Sequence, residues 1–163
     1  MADEILQASE LLNNAFEPKR SNRWVLQDSG LDAFTLRTCT RPAISFEEIE
    51  IPYINGRRYI HGKATWEPMS FTLNDPITPS AAQKVMEWVR LQYETITGRS
   101  GYQAFSKRDF DLKILDPTGI VVEHWRILGA FLQNASFGDL DYGSSEPIQI
   151  SVTTRFDQAL LMY

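Results

Sequence analysis

The sequence predicts a mainly β domain with one central α-helix, built as an antiparallel sandwich or barrel. Three observations predict it. Residues 69–74 and 147–157 alternate apolar and polar side chains with period two, the pattern of a strand with one buried face. Asn55-Gly56, flanked by extended runs, is the strongest short hairpin signal a sequence carries. Residues 78–97 place apolar side chains at helical spacing behind a Thr-Pro start. At 163 residues the chain fits one domain. That length buries roughly two-thirds of its unfolded surface, so a core needs neither disulfide nor metal.

The elements follow in order. Residues 1–20 read as an N-terminal arm or short helix, with Ile5, Leu6, Leu11, Leu12 and Phe16 at roughly helical spacing behind acids that suit a helix start. Residues 21–163 then form the single domain. Residues 23–27 make a first strand, and Asp28-Ser29-Gly30 turns it. Residues 33–40 alternate, with Phe34, Leu36 and Thr38 on one face and Thr35, Arg37 and Cys39 on the other. Pro42 ends that strand, because proline cannot join an inner ladder. Residues 45–53 alternate again, setting Glu48 and Glu50 beside Phe46 and opposite Ile49, Ile51 and Tyr53. Asn55-Gly56 returns the chain through residues 57–61, and Gly62 marks a bulge or bend. Residues 42–63 are thus a long extended arm.

Met69, Phe71 and Leu73 form the apolar face of the next strand. Thr78 is the expected N-cap of a helix running to Thr97, stopped by Gly98. Its stripe is Ala82, Val85, Met86, Val89, Tyr93 and Ile96, widened by Trp88 on one flank. Residues 98–108 read as a polar loop. Residues 109–115 and 120–128 form a hairpin around Asp116-Pro117-Thr118-Gly119. Extended chain continues to 137, and a loop rich in Gly, Asp and Ser follows. In the last strand, Ile148, Ile150, Val152, Thr154 and Phe156 face one way; Gln149, Ser151, Thr153, Arg155 and Asp157 face the other. Such polar second faces touch bulk water in a monomer, or line a wet channel in a closed ring.

Composition narrows the function. The net charge of −5 argues against a domain that grips nucleic acid. The single cysteine, Cys39, rules out an internal disulfide framework and fits a reducing cytoplasm. The acidic N-terminus has no apolar run of signal-peptide type, and no stretch reaches the ~18 apolar residues of a membrane helix. Catalysis lacks a constellation: His61, His124 and Cys39 give no zinc spacing, and a Cys39/His124 dyad is a poor alternative to two structural side chains. Asp139-Leu140-Asp141 lacks the rest of a calcium loop. Neither cofactor nor small-molecule substrate is expected. Arg57-Arg58 with Lys63 is the one compact basic cluster. Contact with nucleic acid is one reading of it; pairing with acids on a second copy of this acidic chain is the other.

The runs Arg41-Pro42-Ala43, Glu50 through Gly62 (EIPYINGRRYIHG), Trp66 through Asp75 (WEPMSFTLND) and the helix through Trp88 resemble the tail tube proteins of contractile-tailed, T-even-type bacteriophages. The Arg23-Trp24-Val25 strand opening does too. Related inner-tube proteins of pyocins and other contractile injection systems share the pattern, which spans about residues 22–157. The resemblance implies a hexameric ring in which each subunit donates strands to a continuous β-barrel, with the helix outside. Rings stack into a tube inside a sheath. The arm, with Pro42, Tyr53, Asn55, Gly56, Arg57, Arg58 and Tyr59, would reach a neighbouring subunit or ring. Glu48, Glu50, Gln149, Ser151, Thr153 and Arg155 are the expected lumen-facing residues. An acidic lumen would let DNA slide.

Implied partners are further copies of the chain, the tail sheath protein, a baseplate tube initiator, a tail terminator and transient DNA. The implied place is the tail of a virion, assembled in the host cytoplasm. The alternatives are the inner tube of an injection particle or a baseplate tube initiator, and, more remotely, a monomeric barrel binding an apolar ligand.

Overall fold

The structure, a computed structural model, describes residues 17–163, so most of the expected N-terminal arm or helix lies outside the described residues. Nine strands and two helices follow: β1 (Trp24–Gln27), β2 (Leu36–Cys39), β3 (Ile44–Tyr53), β4 (Gly56–Trp66), β5 (Met69–Asn74), α1 (Ala81–Gln92), α2 (Gln103–Ser106), β6 (Arg108–Leu115), β7 (Val121–Ser136), β8 (Gln149–Arg155) and β9 (Gln158–Leu161). A 3-10 turn, Ala33–Thr35, precedes β2. Seven strands form one sheet in the order β1-β6-β7-β8-β5-β2, with β9 beside β7. Strands β3 and β4 pair only with each other, as a separate two-stranded sheet. Every strand pairing is antiparallel. The seven-stranded sheet is open, so a single subunit closes no barrel.

Strand β7 is long enough to serve two halves of this sheet. Up to Ala130 it pairs with β6 and β9; from Phe131 it pairs with β8. The chain bends between them at Gly129, whose φ is 67°. A Cβ there would lie 2.2 Å from Asp157 Oδ2, so only glycine fits the corner. Folding over at this corner makes the core. The apolar faces of β5 and β8 (Phe71, Leu73, Ile150 and Val152) meet Val85 and Trp88 of α1. Leu26, Phe110, Leu112, Ile127 and Phe156 fill the space between the two halves. The alternation expected for β5 is fully realised: Met69, Phe71 and Leu73 are buried.

The structure departs from the sequence reading at definite places, each with a physical cause. The helix starts at Ala81, not after Thr78. Ser80 Oγ caps it by accepting from the Gln83 N–H at 3.4 Å, and Asp75 Oδ1 accepts from the Ala81 N–H at 2.9 Å. It ends at Gln92, because Tyr93 turns extended and bridges to Ser100. Ile96, expected in the apolar stripe, is 94% exposed. The expected polar loop contains α2, held by a Trp88 Nε1–H bond to the Ser106 carbonyl at 2.8 Å.

Strand β2 does not alternate throughout. A bulge at Arg37 sets Leu36 opposite Leu73 and Thr38 opposite Thr72, so Leu36 and Cys39 both pack on the core. Phe34, expected beside Leu36, is exposed in the 3-10 turn. Ile148 precedes β8 and stays exposed rather than turning inward. β9 is an addition that the sequence reading did not contain.

In the hairpin, the turn is Ile54-Asn55, one residue earlier than Asn55-Gly56. Tyr53 pairs with Gly56 and Pro52 with Arg57. The pair that closes a two-residue hairpin exchanges two hydrogen bonds, and the next pair exchanges none. Pro52, which lacks an N–H, thus falls where no donor is needed. A loop at Asn55-Gly56 would have put it at a pair that needs one. The bulge expected at Gly62 is present, with Phe46 opposite Ala64 but Glu48 opposite His61. A Cβ on Gly62 would stand 3.0 Å from that of Glu47.

Candidate assembly surfaces

The β3–β4 hairpin is the first surface. Nearly every residue of it is exposed, including Phe46, Ile49, Tyr53, Ile54, Tyr59 and Ile60. A lone two-stranded hairpin is marginally stable in water and has no reason to display so much apolar surface unless something covers it. The arm residues Asn55, Gly56, Arg57, Arg58 and Tyr59 come together with Tyr53 at its tip; half-buried Pro42 lies at its root. Arg57 pairs with Glu50 on the same face at 3.2 Å, both well exposed. The Arg58 side chain makes no ion pair among the described residues.

The second surface is the outer face of β2, β5, β8 and the end of β7. Registers place Thr38 beside Thr72, Thr72 beside Ser151, Ser70 beside Thr153, and Thr153 and Ser151 beside Asn134 and Ser136. The hydroxyls of Thr38 and Thr72 lie 2.5 Å apart, and those of Ser70 and Thr153 lie 3.3 Å apart. Gln149, Ser151, Thr153 and Arg155 occupy this face together, opposite buried Ile150, Val152 and Thr154. Glu48 and Glu50 do not join them: both lie on the hairpin, with Phe46, His61 and Tyr59. The expected lumen set is therefore split between two sheets.

Among the described residues, both edges of this four-stranded unit lack a partner. β2 pairs only with β5, and β7 beyond Ala130 pairs only with β8. Free edges of this kind present unpaired N–H and C=O groups.

The root of the hairpin is tied down by a side chain that sequence reasoning missed. Glu123 is 4% exposed and accepts from Lys19, Arg41 and, at 2.6 Å, Trp125 Nε1. Burial pushes its carboxyl upward, but the Lys19 ammonium, the Trp125 N–H and Arg41 outweigh this and hold it below the usual range. Its two cationic partners lie 104 and 82 residues away in sequence, so no local pattern signals them. The depressed value means stability that is present above the unfolded pKa and lost as pH falls through the folded one. Glu123→Gln is expected to cost about 1–2 kcal/mol at pH 7, since both cations are half exposed and well screened. The difference from wild type should narrow as pH falls through the acid range, as read by urea unfolding at pH 7 and at the lowest pH at which wild type stays folded.

Cys39 packs against the core and burial pushes its thiol up to about 12, which keeps it protonated and a poor nucleophile. His124 lies in β7, edge-on to Tyr163 and 3.3 Å from Asp111, so its surroundings are structural.

The described residues share their fold with chains solved in contractile injection systems. The tube-terminating cap of the anti-feeding prophage superposes with a TM-score of 0.73 at 16% identity, covering 96% of this chain and 99% of that one. A chain of the sheath/tube terminator complex of an extracellular contractile injection system, PVC, gives 0.73 at 12% identity over 91% and 99%. Hcp1 from Flavobacterium johnsoniae gives 0.50 at 12% identity over 86% and 94%. No family model matches the sequence, and no curated protein matches it. At these identities the likeness establishes the fold.

Proposed function

We propose that the chain is the structural subunit of the inner tube of a contractile tail, assembling as stacked hexameric rings. The observation that carries this is the β2-β5-β8-β7 unit: a sheet with a hydroxyl- and amide-rich outer face and, among the described residues, a free edge on each side. Joining the β2 edge of one copy to the β7 edge of the next satisfies both edges and closes a barrel with the polar face inside. Gln149, Ser151, Thr153 and Arg155 then line the lumen, and α1 lies outside, towards a sheath. The hairpin, through Pro42, Tyr53, Asn55, Gly56, Arg57, Arg58 and Tyr59, holds a neighbouring copy. A baseplate initiator and a terminator bound the tube, which forms in the host cytoplasm and ends in the virion tail.

In a phage tail such a channel passes DNA. A second reading, a tube that carries protein in an injection particle, is favoured by one feature. The sheet face is largely neutral, and the two acids expected to repel phosphate, Glu48 and Glu50, lie on the hairpin. Negative-stain electron microscopy over a concentration series tests the shared claim. Rings or hollow tubes are expected. A monomer at every concentration, with and without baseplate extract, overturns it.

A further inference from the structure

Opposite ends of the β2-β5-β8-β7 unit carry unlike features. At one end β2 finishes and β5 begins, joined by a Thr40 N–H to Ser70 carbonyl bond of 2.9 Å, and the hairpin departs from there. At the other end Asn74 pairs with Gln149 and Ser136 with Ser151, and the loop between β7 and β8 closes the unit. This loop encloses a cleft of about 790 Å³ lined by Leu140, Tyr142 and Ile148 together with Asp139, Asp141 and Glu146. Leu140 is 83% exposed and Tyr142 fully so.

We propose that the tip of the β3–β4 hairpin of one copy docks into the β7–β8 loop cleft of a copy in the adjacent ring. This rests on the tube reading above and adds a receptor and a direction to it. The tip is apolar and basic (Tyr53, Ile54, Arg57, Arg58); the cleft is apolar and acidic. The match is both hydrophobic and electrostatic, so it selects partner and register. A ten-residue strand reaches ~33 Å, which carries the tip well away from the sheet it departs from. Because the hairpin departs from one end of the unit and the cleft lies at the other, the contact is head-to-tail, does not close on itself, and propagates. Within its own chain the apolar side chains of the tip stay exposed, Ile54 wholly and Tyr53 by more than half.

The test uses the homotypic nature of the contact. Arg58 makes no ion pair, and the carboxylates of Asp139 and Glu146 accept no hydrogen bond, among the described residues, so reversing them spares the fold. R58E alone, and D139K/E146K alone, should each raise the critical concentration for tube growth ~10-fold or more. The triple variant R58E/D139K/E146K restores opposite charge at every contact and should return it to near wild type. Circular dichroism confirms that each variant folds.

Wild-type tubes with unaffected growth of D139K/E146K overturn the docking while leaving the tube reading intact. So does a triple variant that fails to recover. Loop variants with normal tubes that no longer bind sheath assign the cleft to the sheath and likewise overturn it. A wild-type chain that never polymerises overturns both.

Discussion

Replacing residues 50–59 with Asn-Gly is expected to yield a folded chain that forms no tubes. The cut leaves Ile49 facing Ile60, a pair that already closes with two hydrogen bonds by its register. The hairpin makes no ladder with the seven-stranded sheet, so its loss removes little from the core. The melting temperature should stay within about 2 °C of wild type, the range of a surface change in a domain of this size. Assembly, by contrast, should fall below detection at concentrations where wild-type tubes cover the grid. Sedimentation velocity reads both species at once. A trimmed chain that still polymerises removes the hairpin from the assembly.

Trp88→Ala is expected to be the most damaging single truncation in the body. Trp88 has no exposed surface and sits where α1, α2 and the sheet converge. Its ring lies in one buried apolar cluster with Phe71 and Ile150, its N–H satisfies the Ser106 carbonyl, and the Arg108 guanidinium lies 4.7 Å above it. Removing it leaves a cavity, an unpaired carbonyl and a cation without its aromatic face. Large aromatic truncations cost about 3–5 kcal/mol, against a total of roughly 5–15 kcal/mol for a domain. Urea unfolding followed by far-ultraviolet circular dichroism should show the midpoint fall by a third or more. Trp88→Phe should recover part of the loss but not the hydrogen bond.

How much of this was legible depended on range. β5 and β8 were readable because their alternation is local and uninterrupted. The amphipathic body of α1 was readable for the same reason, but its ends depended on neighbours: Asp75 at the start and Ser100 at the finish. The Ser80-x-x-Gln83 spacing was a signal for the true N-cap that the Thr-Pro pair outweighed. At the hairpin, Asn-Gly propensity lost to Pro52, whose missing donor decides the register from inside the strand. The bulge at Arg37 had no signal, since one added residue in β2 changes faces without changing composition. The site shows the same division. The hydroxyl face of β8 was visible as a pattern. Its separation from Glu48 and Glu50, the free edges, and the Glu123 tie are consequences of topology, made by residues far apart in the chain.

The brevity of β2 has a kinetic consequence. It offers four residues, one of them spent on a bulge, as the edge on which, in the proposed tube, another copy would land. An edge this short is a poor template, which protects the free subunit from indiscriminate pairing. On the tube reading, two copies meeting alone hold each other weakly, and the bond becomes secure only when the circle is complete. Starting a tube is then slow and steeply dependent on concentration, whereas adding to an existing end is fast. A cell holding the subunit in store would keep it dispersed until a platform supplies the first circle, so that the platform, not the abundance of the subunit, sets when and where a tube begins.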